Sequence, residues 1–179
     1  MEDISLPYSL LPLNQLQREI RLLRLHPGHQ HNRLRAELRV VSLHNPPSYE
    51  ALSYTWGKST SDPQPVIYIN DNVSLPLTDN LHNALKRLRR RFRTRVLWID
   101  ALCINQEDLA ERASQVSFMG ETYKSARGVC VWLGDTSDIS LSNQIHVSIT
   151  PLWLLASTHR ILRRKSPTWQ DYIFRKTIF

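Results

Sequence analysis

Polar and aromatic residues follow three apolar segments of this 179-residue chain. Trp56 and Gly57 end the first segment, and Asp100 follows the second, residues 96–99. Gly134-Asp135 follows the third, residues 129–133. If these segments are parallel strands of an α/β sheet, their carboxyl ends meet at one edge, where such sheets bind ligands. The sequence therefore predicts a ligand site at that edge.

The residue types at this predicted edge suit the binding of a sugar, a base or an amide-bearing ligand. Carboxylates and amides supply hydrogen bonds, and an indole ring supplies a stacking surface. Asp100 and Glu111 are the candidate functional carboxylates. The candidate pocket residues are Tyr54, Trp56, Gly57, Asp100, Cys103, Asn105 and Gln106.

Structural roles for the same residues stay open. Asp100 also fits a turn cap, Asn105 fits the start of a helix, and Trp56 fits a core. Glu111 is favoured as an ordinary surface residue of a helix. Cys103 would need a nearby His base to act as a nucleophile, and the sequence indicates none. The chain has no phosphate-loop, His-Glu-x-x-His or Gly-x-Ser-x-Gly motif, and its scattered histidines predict no metal site.

One segment carries the whole excess of positive charge. Between Asn80 and Ile99 there are seven cations and no acid, whereas the rest of the chain has 16 basic and 16 acidic residues. Such a segment can bind a phosphate or an acidic partner. The solvated side of an amphipathic helix is the favoured interpretation, since no nucleic-acid-binding motif accompanies the charge, although the charge does not exclude nucleic acid. The candidate basic face comprises Lys86, Arg87, Arg89, Arg90 and Arg93.

Hydrophobic periodicity predicts the elements that position these residues. The predicted strands are residues 20–25, 34–43, 49–56, 66–69, 73–77, 96–99 and 129–133, and the predicted helices run from 78 to about 91 and from 108 to about 124. The first two strands alternate and are predicted to be partly exposed, whereas the last two are continuously apolar and predicted to be covered on both faces. The predicted inward stripes are Leu81, Ala84, Leu85, Leu88 and Phe92 on the first helix, and Leu109, Ala113, Val116, Met119 and Tyr123 on the second.

Helices alternating with buried strands predict an α/β fold with a parallel sheet core, flanking helices and antiparallel strands added at one edge. No apolar run approaches the roughly 20 residues of a membrane span, so we predict no transmembrane segment. Met1-Glu2-Asp3 does not resemble a secretory signal, and the two Cys lack a metal or redox spacing. We therefore expect an intracellular protein of the cytoplasm, with reduced thiols.

Three stretches together resemble one family, the fungal heterokaryon-incompatibility (HET) domain. Residues 49–57 (YEALSYTWG) resemble its opening signature, and residues 77–89, with LTDNL and ALKRLR, resemble its middle block. Residues 97–134, from LWIDALCINQ to VWLG, resemble its longest block. The resemblance covers about residues 18–135. It therefore predicts a lead-in at 1–17, a HET-like domain at 18–135, and a divergent, irregular basic tail at 136–179 that is truncated or poorly ordered.

The resemblance implies a role in fungal non-self recognition, where fusion of genetically different hyphae triggers growth arrest and cell death. It also implies a TIR-like, flavodoxin-like parallel sheet, which TIR proteins use for death signalling by assembly and, in some members, for NAD cleavage. On this analogy, residues 49–56, 97–99 and 129–133 are the first, second and third parallel strands.

Three functions are consistent with this resemblance. The leading hypothesis is a death-signalling module that acts through self-association or protein partners. The second is an NAD-cleaving enzyme, in which Asp100 or Glu111 stabilises positive charge on the ribose and Trp56 stacks on a ring. NAD would then be a substrate, and no cofactor is expected. The catalytic Glu of TIR enzymes follows the third strand, and this chain has no Glu beyond Glu121. The third hypothesis is an inactive, truncated fragment.

Overall fold

The computed structural model describes residues 6–70 and 73–134, which form an α/β fold around one sheet. Within these residues the sheet has seven strands in the order β5-β4-β2-β1-β6-β3-β7. The strands are β1 (Glu19–Leu25), β2 (Leu34–Ser42), β3 (Glu50–Tyr54), β4 (Val66–Ile69), β5 (Val73–Pro76), β6 (Arg95–Trp98) and β7 (Gly128–Trp132). The helices are α1 (Leu6–Ser9), α2 (Asp79–Leu88), α3 (Asp100–Cys103), α4 (Leu109–Ser117) and α5 (Met119–Ser125), and a 3₁₀ turn spans Gln15–Gln17.

The three strands predicted to be parallel lie side by side. β3 is in the middle, with Glu50 opposite both Leu97 of β6 and Gly128 of β7. Leu52 and Trp98 on these strands are almost fully buried, as expected of a sheet covered on both faces. The prediction of three parallel strands is confirmed, and their carboxyl ends point to the same edge.

The remaining strands extend the sheet at one edge, as predicted, and that edge is on the β6 side. β1 runs antiparallel to both β6 and β2, and Leu23 lies opposite Leu97 on one side and Leu38 on the other. The predicted hairpin of β4 and β5 is confirmed. Two expectations were wrong. β4 is parallel to β2, and β1 is buried rather than partly exposed, because it is an interior strand with neighbours on both sides.

Helix α2 begins as its sequence predicts but ends early. The Thr78 side chain accepts a hydrogen bond from the Leu81 N–H at 3.3 Å and caps the first turn. The helix ends at Leu88, three residues before the predicted end, because Arg89 has an extended backbone conformation. Phe92 is consequently not on the helix and is 80% exposed, so its place on the inward stripe was predicted wrongly.

The predicted second helix is two helices, and its predicted inward stripe is wrong on α4, whereas its two members on α5 pack against the core as predicted. The helix breaks at Phe118 between α4 and α5. Leu109 and Val116 are 73% and 59% exposed, whereas Gln115 is buried and donates from Nε2 to the Glu19 carbonyl at 2.9 Å. Polar contacts to β1, rather than an apolar stripe, therefore set the orientation of α4.

Strand β7 is less covered than its apolar sequence predicts. Among the described strands it lies at the end of the sheet and pairs with β3 alone. Val131 is 42% exposed as a result. The prediction that both of its faces are covered is therefore not met within the part of the chain that the structure describes.

Part of the predicted lead-in, residues 1–17, contacts the sheet domain. Tyr8 of α1 is buried and donates its hydroxyl to the Leu102 carbonyl at 3.3 Å. The predicted tail, residues 136–179, lies outside the described residues, so the bounds of the three predicted segments stay predictions. Among residues 6–70 and 73–134, no helix is long and apolar enough to cross a bilayer.

Candidate functional site

The carboxyl ends of β3, β6 and β7 form an edge that we call the rim. Trp56 follows β3, and its Nε1 donates a hydrogen bond to Oδ2 of Asp100, which follows β6, at 3.2 Å. The Trp56 side chain is 47% exposed, so its ring is accessible beside the carboxyl group. The structure thus brings two predicted site residues together, 44 positions apart in the chain.

Asp100 is a carboxyl group in an environment that penalises its charge. It is the first residue of α3, and its Oδ1 accepts the Ala101 N–H at 2.7 Å. These contacts favour the anion, but burial outweighs them and raises the pKa of Asp100 above its usual value. A carboxyl group of this kind is suited to exchanging a proton or to meeting a cationic group.

Two tyrosines lie close to Asp100. Burial, and secondly the negative charge of Asp100, raise the pKa of Tyr54 and of Tyr123, so both remain neutral hydrogen-bonding groups. Tyr123 donates its hydroxyl to the Leu52 carbonyl at 3.4 Å, and its ring meets that of Trp98 edge to face at 5.3 Å between centroids. Neutral aromatic side chains therefore form part of the surroundings of the carboxyl group.

Two rim residues escaped the sequence analysis. Asn80, in the first turn of α2, donates from Nδ2 to the Thr55 carbonyl at 2.7 Å. Its Oδ1 accepts the Nε1–H of Trp132, the last residue of β7, also at 2.7 Å. Asn80 therefore joins the ends of β3 and β7. Both residues lie in stretches that resemble the HET domain, but only the strand order places the start of α2 beside them.

The loop after β3 is held against the start of α2. The Asp79 carboxylate accepts hydrogen bonds from the Ser59 hydroxyl at 3.1 Å, from the Thr60 N–H at 2.7 Å and from the Ser61 N–H at 3.2 Å. Hydrogen bonds from Ser61 and Thr60 lower the pKa of Asp79. Gly57 has a φ of +129°, which other residues rarely adopt, and it turns the chain into this loop.

Glu111, the second candidate carboxylate, is separate from Asp100. Its two oxygens accept from the Arg21 guanidinium at 2.6 and 3.0 Å, and its side chain is only 12% exposed. Arg21 is 1% exposed and also donates to the Leu11 carbonyl at 2.9 Å and the Cys103 carbonyl at 3.3 Å. The favoured interpretation of Glu111 as an ordinary surface residue was therefore wrong, because it belongs to a buried ion pair at the far end of α3.

The other predicted pocket residues surround α3. The Gln106 side chain donates from Nε2 to the Asp100 carbonyl at 2.9 Å, and the Asn105 N–H donates to Glu111 at 2.6 Å. Cys103 is fully buried, and burial raises the pKa of its thiol to about 12. Gln106 therefore contacts the backbone of the rim, Asn105 belongs to the ion-pair cluster, and Cys103 lies beneath the surface.

A family model supports the resemblance noted in the sequence. The model described as heterokaryon incompatibility protein (HET) matches residues 49–177, a span that includes every rim residue. The chain belongs to the HET family. It is also 38% identical over 144 residues to heterokaryon incompatibility protein 6, OR allele, of Neurospora crassa. That match covers 74% of this chain and 21% of the relative, so the chain spans about a fifth of the length of the relative. No solved structure matches the chain.

The predicted basic face of this HET-family chain loses one of its members. Arg89 is buried, and its guanidinium donates to the carbonyls of His29, Asn32 and Arg33. It therefore holds a loop instead of facing solvent, which contradicts its assignment to a solvated face. The members that stay partly or fully exposed are Lys86, Arg87, Arg90 and Arg93.

The rim of this HET domain combines an accessible indole, a desolvated carboxyl group and a bridging amide. Such a set can stack on a planar ring, accept hydrogen bonds and stabilise positive charge. Within the described ranges, no group of three or more His, Cys, Asp or Glu side chains is arranged to hold a metal ion.

Proposed function

We propose that this chain is a signalling module of heterokaryon incompatibility, which triggers growth arrest and cell death when genetically different hyphae fuse. Its family membership and the name of its Neurospora crassa relative support this role. The observation that carries the proposal is the convergence of the three HET-like stretches on one rim. Trp56, Asn80 and Asp100 come from different stretches, yet hydrogen bonds connect the end of β3 to both of the others.

The strand order supports the TIR-like, flavodoxin-like core that this proposal includes. Counting the parallel strands along the chain, β3 is the first, β6 the second and β7 the third, and their order in the sheet is second, first, third. Flavodoxin-like sheets begin with that order and bind ligands at the carboxyl ends of the same strands.

The module is proposed to act in the cytoplasm through self-association or protein partners. Exposed apolar side chains on α4 support this mode of action. Leu109 and Val116 are mostly exposed, because polar residues such as Gln115 occupy the face of α4 that packs on the sheet. Contiguous apolar side chains at a surface are a frequent feature of protein-binding sites.

Regulated expression of this chain in yeast tests the proposal. We expect the wild-type chain to arrest growth, and Asp100→Asn and Trp56→Ala to restore growth to the empty-vector rate. The matched controls are Glu37→Gln, which changes a partly exposed carboxylate on β2, and Phe92→Ala, which changes an exposed ring before the start of β6. Both controls should arrest growth like the wild type.

Two results would count against this proposal in different ways. A harmless wild-type chain, present at a normal level, would contradict the signalling role and favour the inactive fragment. Growth arrest that persists in Asp100→Asn and Trp56→Ala would separate the toxicity from the rim. Circular dichroism of each purified variant controls for loss of folding.

The rim also favours a second candidate function, hydrolysis of the nicotinamide–ribose bond of NAD. Water would add to the ribose carbon as the bond breaks, which releases nicotinamide, ADP-ribose and one proton from the water to the solvent. Asp100 is the carboxyl group that would stabilise positive charge on the ribose, since Glu111 is paired with Arg21. Trp56, beside Asp100, would stack its ring on a ring of the substrate. Nicotinamide release by the purified chain, lost in Asp100→Asn, is the expected result. No release at high protein concentration would rule this function out.

A further inference from the structure

A cavity of about 340 Å³ lies at the other end of α2 from the rim. One wall is the loop between β1 and β2, and the other is formed by side chains of α2 beyond its first turn. The residues that line the cavity are Gln30, His31, Asn83, Lys86 and Arg87. Neither the rim residues nor the Arg21–Glu111 ion pair take part in it.

Hydrogen bonds to the residues just after α2 hold the loop that forms one wall of this cavity. The buried Arg89 guanidinium donates to the Arg33 carbonyl at 3.0 Å, to the Asn32 carbonyl at 3.1 Å, and to the His29 carbonyl. The Gly28 N–H donates to the Arg90 carbonyl at 3.0 Å. These bonds connect the loop to the end of α2 and so place the two walls of the cavity opposite each other.

The charged groups that line the cavity are all basic. Lys86 provides an ammonium group and Arg87 a guanidinium, which are the two side chains that bind phosphate oxygens best. Gln30 and Asn83 add amide donors, and His31 adds a ring nitrogen. Lys86 and Arg87 also offset the negative end of the α2 dipole, but that role alone does not require a loop placed over them.

We propose that this cavity binds the phosphate group of a small phosphate ester. The volume is at the lower end of the range for small-molecule pockets, which suits a mononucleotide or a sugar phosphate better than a larger ligand. The site is independent of the rim: α2 begins at the rim with Asp79 and Asn80, and Lys86 and Arg87 lie in its last turn. Its ligand would therefore bind at the opposite end of α2 from the rim.

Isothermal titration calorimetry of the purified full chain tests this proposal. The probes are adenosine 5′-monophosphate, inorganic phosphate and adenosine, each at the same ionic strength. We expect adenosine monophosphate to bind and adenosine not to bind. Inorganic phosphate that binds as tightly as the ester would identify free phosphate as the ligand, which retains the phosphate site but overturns the ester. Binding by neither phosphate compound would overturn the proposal.

Matched charge variants locate the site. Lys86→Gln and Arg87→Gln should each weaken binding of adenosine monophosphate about tenfold or more, because each loses a charge-assisted hydrogen bond to the phosphate. Arg93→Gln removes the same charge from an exposed residue outside the cavity and should change the affinity less than about twofold. Equal losses in all three variants, or binding of a DNA oligonucleotide that tightens with its length, would indicate a diffuse basic surface and contradict a built cavity.

Discussion

Replacement of Arg21 by Met is expected to lower the free energy of unfolding by about 3–5 kcal/mol, because it leaves the Glu111 carboxylate buried without its cation. Arg21 is 1% exposed and donates four hydrogen bonds to Glu111 and to two backbone carbonyls. Met has nearly the length of the Arg stem but supplies none of these donors. Urea denaturation followed by circular dichroism gives the measurement.

A surface ion pair of the same chemistry provides the control. Arg39 pairs with Glu37 at 2.7 Å, but the Arg39 side chain is 56% exposed. Arg39→Met should therefore change the free energy of unfolding by no more than about 0.5 kcal/mol. Similar losses for the two variants would mean that the Arg21–Glu111 pair is not buried. The additional variant Glu111→Met, made in Arg21→Met, should recover part of the lost stability, since it removes the unpaired charge.

Replacement of Leu85 by Ala should lower the free energy of unfolding by about 2–5 kcal/mol, because it opens a cavity in the core. Leu85 is fully buried on α2, at 0% exposure. Leu109→Ala, the same substitution on α4, should change the free energy by no more than about 0.5 kcal/mol, since Leu109 is 73% exposed. Urea denaturation of both variants gives the comparison. A large loss for Leu109→Ala would restore the apolar inward face that the sequence predicts for α4.

These two leucines illustrate which parts of the fold the sequence could predict. On α2, the apolar stripe coincides with the core from Leu81 to Leu85, so periodicity found the helix and its buried face, although not its end at Leu88. On α4, the inward positions hold Gln115 and Glu111. Their hydrogen-bonding partners lie on β1, 96 and 90 positions away in the chain, so no local sequence pattern marks them as buried. Periodicity measures a preference for apolar burial. It cannot detect a polar side chain that is buried because a residue distant in the chain forms its hydrogen bonds.

Arg89 shows the same difficulty for charge. In the sequence it is one of seven cations between Asn80 and Ile99. In the structure it is buried, because three loop carbonyls around residues 29–33 accept its hydrogen bonds. Composition could assign a charge to the segment but could not separate the arginine that holds the loop from those that face solvent. The loop that Arg89 holds is also one wall of the cavity that Lys86 and Arg87 line.

The candidate site was predictable in part. Asp100 and Trp56 could be placed at the rim because continuous apolar runs predict parallel strands, and ligands bind at their carboxyl ends. Asn80 and Trp132 could not, because their contact depends on β3 lying next to β7 and on α2 starting beside both. Strand order is set by long-range pairing, which local patterns do not encode.

The most direct test of the rim is the pH titration of the Trp56 indole N–H resonance, followed by ¹⁵N NMR and assigned with Trp56→Phe. Because Trp56 donates to Asp100 at 3.2 Å, its resonance should follow the ionisation of that carboxyl group, with a midpoint above the ordinary aspartate value of about 3.9. The step should vanish in Asp100→Asn. The Trp132 indole, which donates to the Asn80 amide, should show no such step. A Trp56 resonance that does not change with pH, or a step that survives in Asp100→Asn, would mean that Trp56 does not donate a hydrogen bond to Asp100.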